Sequence, residues 1–201
     1  MSNPPLPRII PTIGDAPPKR HNPVAKVIGR LLLRCTNWRF EGDFPNESKL
    51  VIIGGPHTSN WDFILAIVVL WAIDIDVAIM GKKEAFTPIV GPIIRWVGTF
   101  PIDRQSPVGI TDQVAERFEQ HEKFLLGLAP EGTRKKVTRW KTGFYRIAMK
   151  ANVPILPITV NFKKRTIYFN PVLIPTGDMD TEIALLRTYF DAGRGRYEEL
   201  G

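Results

Sequence analysis

Cysteine is nearly absent from this 201-residue chain: Cys35 stands alone, so no disulfide can form within it. A small fold held by covalent staples is excluded, and a reducing compartment is the natural expectation. Histidine is scarce as well. His21, His57 and His121 are the three present, and none lies at a zinc-ligand spacing from another or from Cys35, so no metal site is expected. There is no glycine-rich phosphate loop of the Walker or dinucleotide type. Long hydrophobic runs are missing too. The longest, Phe63 to Ile73, has eleven residues and is bracketed by Asp62 and Asp74, well short of the roughly 20 that cross a bilayer as a helix. A buried core helix is expected there, with partial burial in a bilayer interface as the alternative. No charged segment, apolar core and small-residue cleavage site follow one another at the N-terminus, so export is not expected.

Charge is plentiful and unbalanced. There are 27 Lys and Arg against 20 Asp and Glu, a formal net charge of +7, with a pI near 9.7. Such a surplus implies an anionic partner. Nucleic acid, anionic phospholipid headgroups and phosphorylated substrates such as coenzyme A esters all meet that description. The hydrophobic fraction of 44% is ordinary for a globular protein, and the length suits a single domain with a sizeable core.

Residues 1–23 carry seven prolines and almost no periodic apolar signal, the mark of an extended tail that is either draped over the domain or disordered. Residues 24–201 are expected to form one domain. Val24, Val27, Ile28 and Leu31 then fall on one helical face while Lys26, Arg30 and Arg34 lie away from it. This short basic amphipathic helix can dock on the core, on an anionic membrane surface, or on both. Strand-like runs follow at 50–53, 77–80, 99–102, 124–128, 155–160 and 166–173, alternating with helical patterns near 61–71, 88–97, 108–120, 140–151 and 181–190. The alternation predicts an α/β domain, a mixed and mostly parallel sheet flanked by helices. Prolines inside several strands mark edges or irregularities.

Two polar signatures follow apolar strand-like runs, the place where open α/β sheets build their sites. The first, Pro56-His57-Thr58-Ser59-Asn60-Trp61-Asp62, follows Leu50 to Ile53 and Gly54-Gly55. On a continuous helix, residues five apart sit about 140° apart around the axis. His57 is therefore expected in the turn before a helix and Asp62 in its first turn, with Thr58, Ser59 or Asn60 as the N-cap. Folded back onto the imidazole, Asp62 would fix its tautomer and leave the other ring nitrogen to act as a general base. The plainer alternative is a turn histidine, with Asp62 favouring the helix N-terminus. The second signature, Glu131-Gly132-Thr133-Arg134, follows Phe124 to Leu128 and suits an anion cradle. Arg134 offers a planar fork of donors to an oxyanion. Gly132 allows close backbone approach, or is a plain turn glycine. Glu131 orients either Arg134 or an acceptor's hydroxyls.

Two more blocks complete a pattern: Gly81-Lys82-Lys83-Glu84, and the run Gly98 to Arg104, with Val153 to Pro157 closing the series. In order, these segments resemble the sequence blocks of the glycerolipid and lysophospholipid acyltransferase family, to which 1-acylglycerol-3-phosphate acyltransferases belong. The resemblance runs from about residue 45 to about residue 175. His57 and Asp62 match its His-x4-Asp block, and Glu131 to Arg134 its Glu-Gly-Thr-Arg block. The resemblance implies a catalytic His57 with Asp62. It also implies a substrate pocket of Lys82, Arg104, Glu131, Gly132, Thr133 and Arg134, and no cofactor beyond an acyl-CoA or acyl carrier protein co-substrate. The acceptor would be a lysophospholipid or related glycerolipid. Membrane-integral members carry apolar segments ahead of the histidine, and no stretch of spanning length precedes His57. The expected location is therefore cytoplasmic, peripheral to the inner face of the membrane through an anionic surface. Two other classes compete: a basic nucleic-acid-binding protein, which lacks any recognition motif, and a catalytically silent lipid-binding relative, against which the intact His57 and Asp62 count.

Overall fold

Four consecutive residues show how the chain builds two cores from one sheet. Leu50 and Ile52 point into one apolar cluster, with Leu33, Leu65, Val69 and Phe169. Val51 and Ile53 point into another, with Val114, Phe118, Phe144 and Leu186. Successive strand residues face opposite sides, so a strand that is apolar throughout must be covered on both. In this computed structural model, which describes residues 10–56, 60–96, 98–103, 105–106, 109–131 and 140–191, that strand lies at the middle of a seven-stranded sheet.

In chain order the elements are α1 (Pro23–Cys35), β1 (Arg39–Glu41), β2 (Lys49–Gly55), α2 (Asn60–Ile73), β3 (Ala78–Lys82), a 3-10 turn (Lys83–Ala85), α3 (Gly91–Trp96), β4 (Thr99–Ile102), α4 (Ile110–Gln120), β5 (Phe124–Leu128), α5 (Gly143–Ala151), β6 (Ile155–Asn161), β7 (Thr166–Phe169) and α6 (Met179–Asp191). The strand order is β1-β7-β6-β2-β5-β3-β4. Every neighbouring pair is parallel except β6 with β7, the mixed and mostly parallel sheet expected. The prolines behave as their missing N–H requires. Pro101 sits in the edge strand β4. Pro157 sits in β6 between the Leu173 bridge to Ile155 and the start of the β7 ladder at Ile158.

One strand is additional to those expected, and one expectation needs correction. Strand β1, only three residues long, carries too little pattern to be seen in the sequence; it exists because it pairs with β7 at the far edge. Helix α2 is not buried all round. Leu65, Val69, Ala72 and Ile73 are buried, but Trp61, Phe63 and Ile64 are about half exposed. The reason is coverage. Helix α1 comes closest to α2 at Gly29, where a Cβ would stand 2.6 Å from Ala72 N and 2.8 Å from Val68 O. The first turn of α2 is left open.

Helix α1 begins where its caps dictate. Asn22 accepts a hydrogen bond from Ala25 N at 2.9 Å, and Pro23 fills the first helical position. Ahead of it, residues 10–20 run along the sheet margin where β2, β3 and β5 begin. Ala16 N donates to Asn46, Lys123 Nζ to Asp15 O, and Asp76 N to Pro18 O.

On the other side of the sheet, α6 is clasped to α5. Tyr145 Oη donates to Glu182 at 2.6 Å, Gly177 N donates to the same hydroxyl, and Thr176 Oγ1 donates to Glu182 at 2.6 Å. Burial and the Glu182 carboxylate push the Tyr145 hydroxyl above its ordinary pKa. Burial would raise Glu182, but the bonds from Thr176 and Tyr145 outweigh it and hold the carboxyl below the usual range.

Candidate active site

Parallel pairing brings the polar signatures to one edge of the sheet. Strands β2 and β5 run in step from Lys49 beside Phe124 to Ile53 beside Leu128. Strands β3 and β4 pair from Ile79 beside Thr99 to Lys82 beside Ile102. All four therefore finish at the same margin, and the residues that follow them emerge together. From β2 the chain turns into α2, whose Leu65 and Val69 pack in one core. From β5 it passes to α5, whose Phe144 and Ile147 pack in the other. Adjacent strands whose connections leave to opposite faces open a crevice between them, and in α/β sheets that crevice is where ligands bind.

Contact across this crevice is direct. A Cβ built on Gly55 would stand 3.6 Å from Glu131 Oε1, so the carboxylate opening the second signature lies against the strand end that leads into the first. Past β5, Lys141 N donates to Pro130 O at 3.0 Å. The adjacent residue, Trp140, packs edge-on to Phe190 with centroids 4.7 Å apart, and Arg187 lies over the indole.

Asp62 occupies the first turn of α2, as expected, and only 8% of it is exposed. Its neighbours Trp61, Phe63 and Ile64 face outward, so the turn sends its carboxylate inward and its apolar groups out. A buried carboxylate is retained only with polar compensation, and the positive end of α2 supplies part of it. Lys82 is the last residue of β3. The expected site residues His57, Arg104, Gly132, Thr133 and Arg134 lie outside the described residues, as does the Lys82 side chain.

Sequence reasoning missed the clasp beside Lys82 and Arg104. Lys83 Nζ lies 3.0 Å from Asp103 Oδ2, Gln105 N donates to Asp103 Oδ1, and Gln113 Nε2 of α4 donates to Asp103 O. The hydrogen bond from Lys83, then that from Gln105, holds the Asp103 carboxyl below its ordinary pKa. The residue after Lys82 and the residue before Arg104 are thus tied together across β3 and β4. The sequence held one signal for this, opposite charges one step past two strand ends, but only pairing reveals that those ends are neighbours. Phe190 was missed for the same reason. Among the described residues, no group of three or more His, Cys, Asp or Glu is arranged to hold a metal ion.

Comparison with known proteins agrees with this architecture. The family model for acyltransferases matches residues 37–161, and the chain belongs to that family. It is 27% identical over 158 residues to the 1-acyl-sn-glycerol-3-phosphate acyltransferase of Haemophilus influenzae, covering 73% of this chain and 63% of that protein. It is 33% identical over 116 residues to the enzyme of that name from Streptococcus pneumoniae, covering 57% of this chain and 43% of that protein. A plant relative of the same name, from Cocos nucifera, is 28% identical over 151 residues, 71% of this chain and 47% of its own length. The chain thus spans about half the length of the curated relatives it matches. Its fold is shared with the 1-acyl-sn-glycerophosphate acyltransferase of Thermotoga maritima, with a TM-score of 0.60 and 16% identity over 86% of this chain and 80% of that one.

Proposed function

We propose that the chain transfers a fatty acyl group from a thioester, acyl-CoA or acyl carrier protein, to the hydroxyl of a lysophospholipid or related glycerolipid. The observation that carries this reading is the meeting of Gly55 and Glu131 at the margin where β2, β5, β3 and β4 all end. That juxtaposition supports a reading in which His57, Asp62 and the signature that opens at Glu131, spread over some 80 positions of sequence, serve one crevice.

The chemistry follows from what acyl transfer needs. His57 takes the proton of the acceptor hydroxyl as its oxygen attacks the thioester carbonyl. Asp62, held in the first turn of α2, fixes the imidazole tautomer and stabilises the imidazolium. The tetrahedral oxyanion collapses, the C–S bond breaks, and the leaving thiolate takes the proton back from His57. Transfer is direct, with no acyl-enzyme. Arg134, with Lys82 and Arg104, holds the phosphate of the acceptor; Glu131, Gly132 and Thr133 shape the cradle around it.

The acceptor is met at a bilayer surface. No helix among the described residues is long and apolar enough to cross a membrane, yet a broad apolar surface is open to solvent. It comprises Val24, Val27, Ile28 and Leu31 of α1, Trp61, Phe63 and Ile64 of α2, and Ile89, Val90, Ile93 and Trp96 in and before α3. Trp96 packs on Trp71, joining α3 to α2. Exposed apolar area of this extent marks a docking surface. It begins at Trp61 in the open turn of α2, four residues past His57, which would bring the crevice to the lipid. The basic stripe Lys26, Arg30 and Arg34 flanks it and suits anionic headgroups.

The test is thiol release from acyl-CoA or acyl carrier protein with a panel of lysophospholipids, against a His57→Ala control. Release that depends on both acceptor and His57 supports the reading. No release above the control with any donor–acceptor pair overturns it.

A further inference from the structure

A basic cavity lies at the opposite end of α2 from Asp62. It has a volume of about 490 Å³ and sits between residues 10–13, α1 and the end of α2. Lys19, His21, Lys26, Arg30 and Asp74 line it, with Ile10, Ile13 and Ile73 forming an apolar wall. Asp74 follows α2, and Asp62 lies at the other end of that helix, roughly 18 Å away along the axis at 1.5 Å per residue. The two sites are therefore separate.

The cations of this cavity are not balanced by what surrounds them. Lys19, Lys26 and Arg30 line it with a single carboxylate, Asp74. Asp74 Oδ2 lies 3.1 Å from Lys26 Nζ, and its buried Oδ1 has no hydrogen-bond partner among the described residues. Asp15 also acts on Lys19, but Lys123 stands beside it and opposes it. Burial is the largest influence on Lys19 and holds its ammonium below the ordinary pKa, the sign of a charge without enough anionic partners. Its Nζ is steered by the Gly14 carbonyl at 2.6 Å. Arg30 is anchored by Nε to Ala72 O at 3.1 Å, and its terminal nitrogens have no partner among the described residues. The His21 ring likewise has none, and its backbone is left-handed, with φ of 54°.

The terminal guanidinium nitrogens of Arg30 and the His21 ring, lining one space with Lys19 and Lys26, suit a tetrahedral oxyanion with several acceptor oxygens. The volume falls in the roughly 300–1,000 Å³ range of small-molecule sites, larger than a bare ion needs, and the isoleucine wall suits an attached carbon skeleton. We propose that this cavity binds the phosphate group of an organic phosphate, with Arg30 and His21 as its principal contacts. The phosphate can come from an anionic lipid headgroup, reached beside the exposed apolar face of α1, or from a soluble phosphate ester.

The experiment follows the His21 ring by nuclear magnetic resonance in the full chain carrying His57→Ala, which removes the base of the proposed catalytic site. His21→Asn assigns the signal, since asparagine tolerates the left-handed backbone. The probes are inorganic phosphate, glycerol 3-phosphate and monomeric dihexanoylphosphatidylglycerol. Saturable shifts of His21 are expected, with Arg30→Gln weakening binding about tenfold and leaving the melting temperature within a few degrees. Tighter binding of the short-chain lipid identifies a headgroup site; tighter binding of glycerol 3-phosphate identifies a soluble ester. Lys19→Gln serves as the second variant should Arg30→Gln not fold. No saturable shift at millimolar probe, or unchanged affinity in the folded variant, overturns the proposal. Neither result bears on acyl transfer, which thiol release measures separately.

Discussion

Phe190 occupies the space that any side chain on Gly55 would need: a Cβ there would stand 2.9 Å from its Cε1. The aromatic ring reaches across from α6, 135 positions along the chain, and packs edge-on against Trp140 at the foot of the second signature. A single ring thus supports both sides of the crevice. Gly55→Ala is expected to overpack it, costing about 1–3 kcal/mol and reducing turnover by shifting the strand end that leads to His57. Phe190→Leu should relieve part of both effects. A double-mutant cycle on melting and activity checks this, and additive effects would show that the two residues do not act through one contact.

The base and its partner make a sharper prediction. His57→Ala should abolish thiol release while the protein stays folded, and Asp62→Asn should lower kcat by on the order of 10²–10⁴. The Asp62 variant should also show a shifted pH dependence, because an amide cannot stabilise the imidazolium. Full activity in either variant would remove that residue from the mechanism.

Arg134→Ala should raise the acceptor KM. Losing a charge-assisted hydrogen bond to an anion costs about 1.5–3 kcal/mol, so a phosphate-bearing acceptor should suffer roughly tenfold or more while a phosphate-free analogue changes little. Equal loss for both would make Arg134 structural.

Glu182 governs part of the acid stability. Its folded carboxyl lies below the ordinary value, since the bonds from Thr176 and Tyr145 outweigh the effect of burial. A depressed folded pKa adds stability above the unfolded carboxylate range, and that stability is lost as pH falls toward the folded pKa. Glu182→Gln should therefore melt lower than the parent at pH 7, by about 1 kcal/mol, and the gap should close on acidification through pH ~4. Melting curves across that window read it directly.

The docking face can be tested by placing charge on it. Val27→Asp and Leu31→Asp both alter exposed positions of α1 and should leave melting unchanged. They are expected to reduce co-sedimentation with anionic vesicles, and binding of the parent should weaken with salt as exposed charges are screened. Turnover of detergent-dispersed acceptor should stay near the parent level. Undiminished vesicle binding would move the contact elsewhere.

Much of this protein is determined locally, and that part can be read from residues alone. Asn22-Pro23 starts α1 because a side chain caps it and a fixed φ fits it. Leu50 to Ile53 announces a strand covered on both faces, because apolar residues at every position leave no side for water. Asp62 falls in the first turn of α2, where its distance from Gly54-Gly55 leads one to expect it. Adjacency was decided by the tertiary structure. Period and polarity say which face a residue presents, not which strand lies beside it. So β1 beside β7, the Lys83–Asp103 clasp and the ring of Phe190 under Gly55 all depend on non-local pairing. The open first turn of α2 has the same origin: an apolar helix is covered only where a partner crosses it, and Gly29 sets that crossing at Val68 to Ala72.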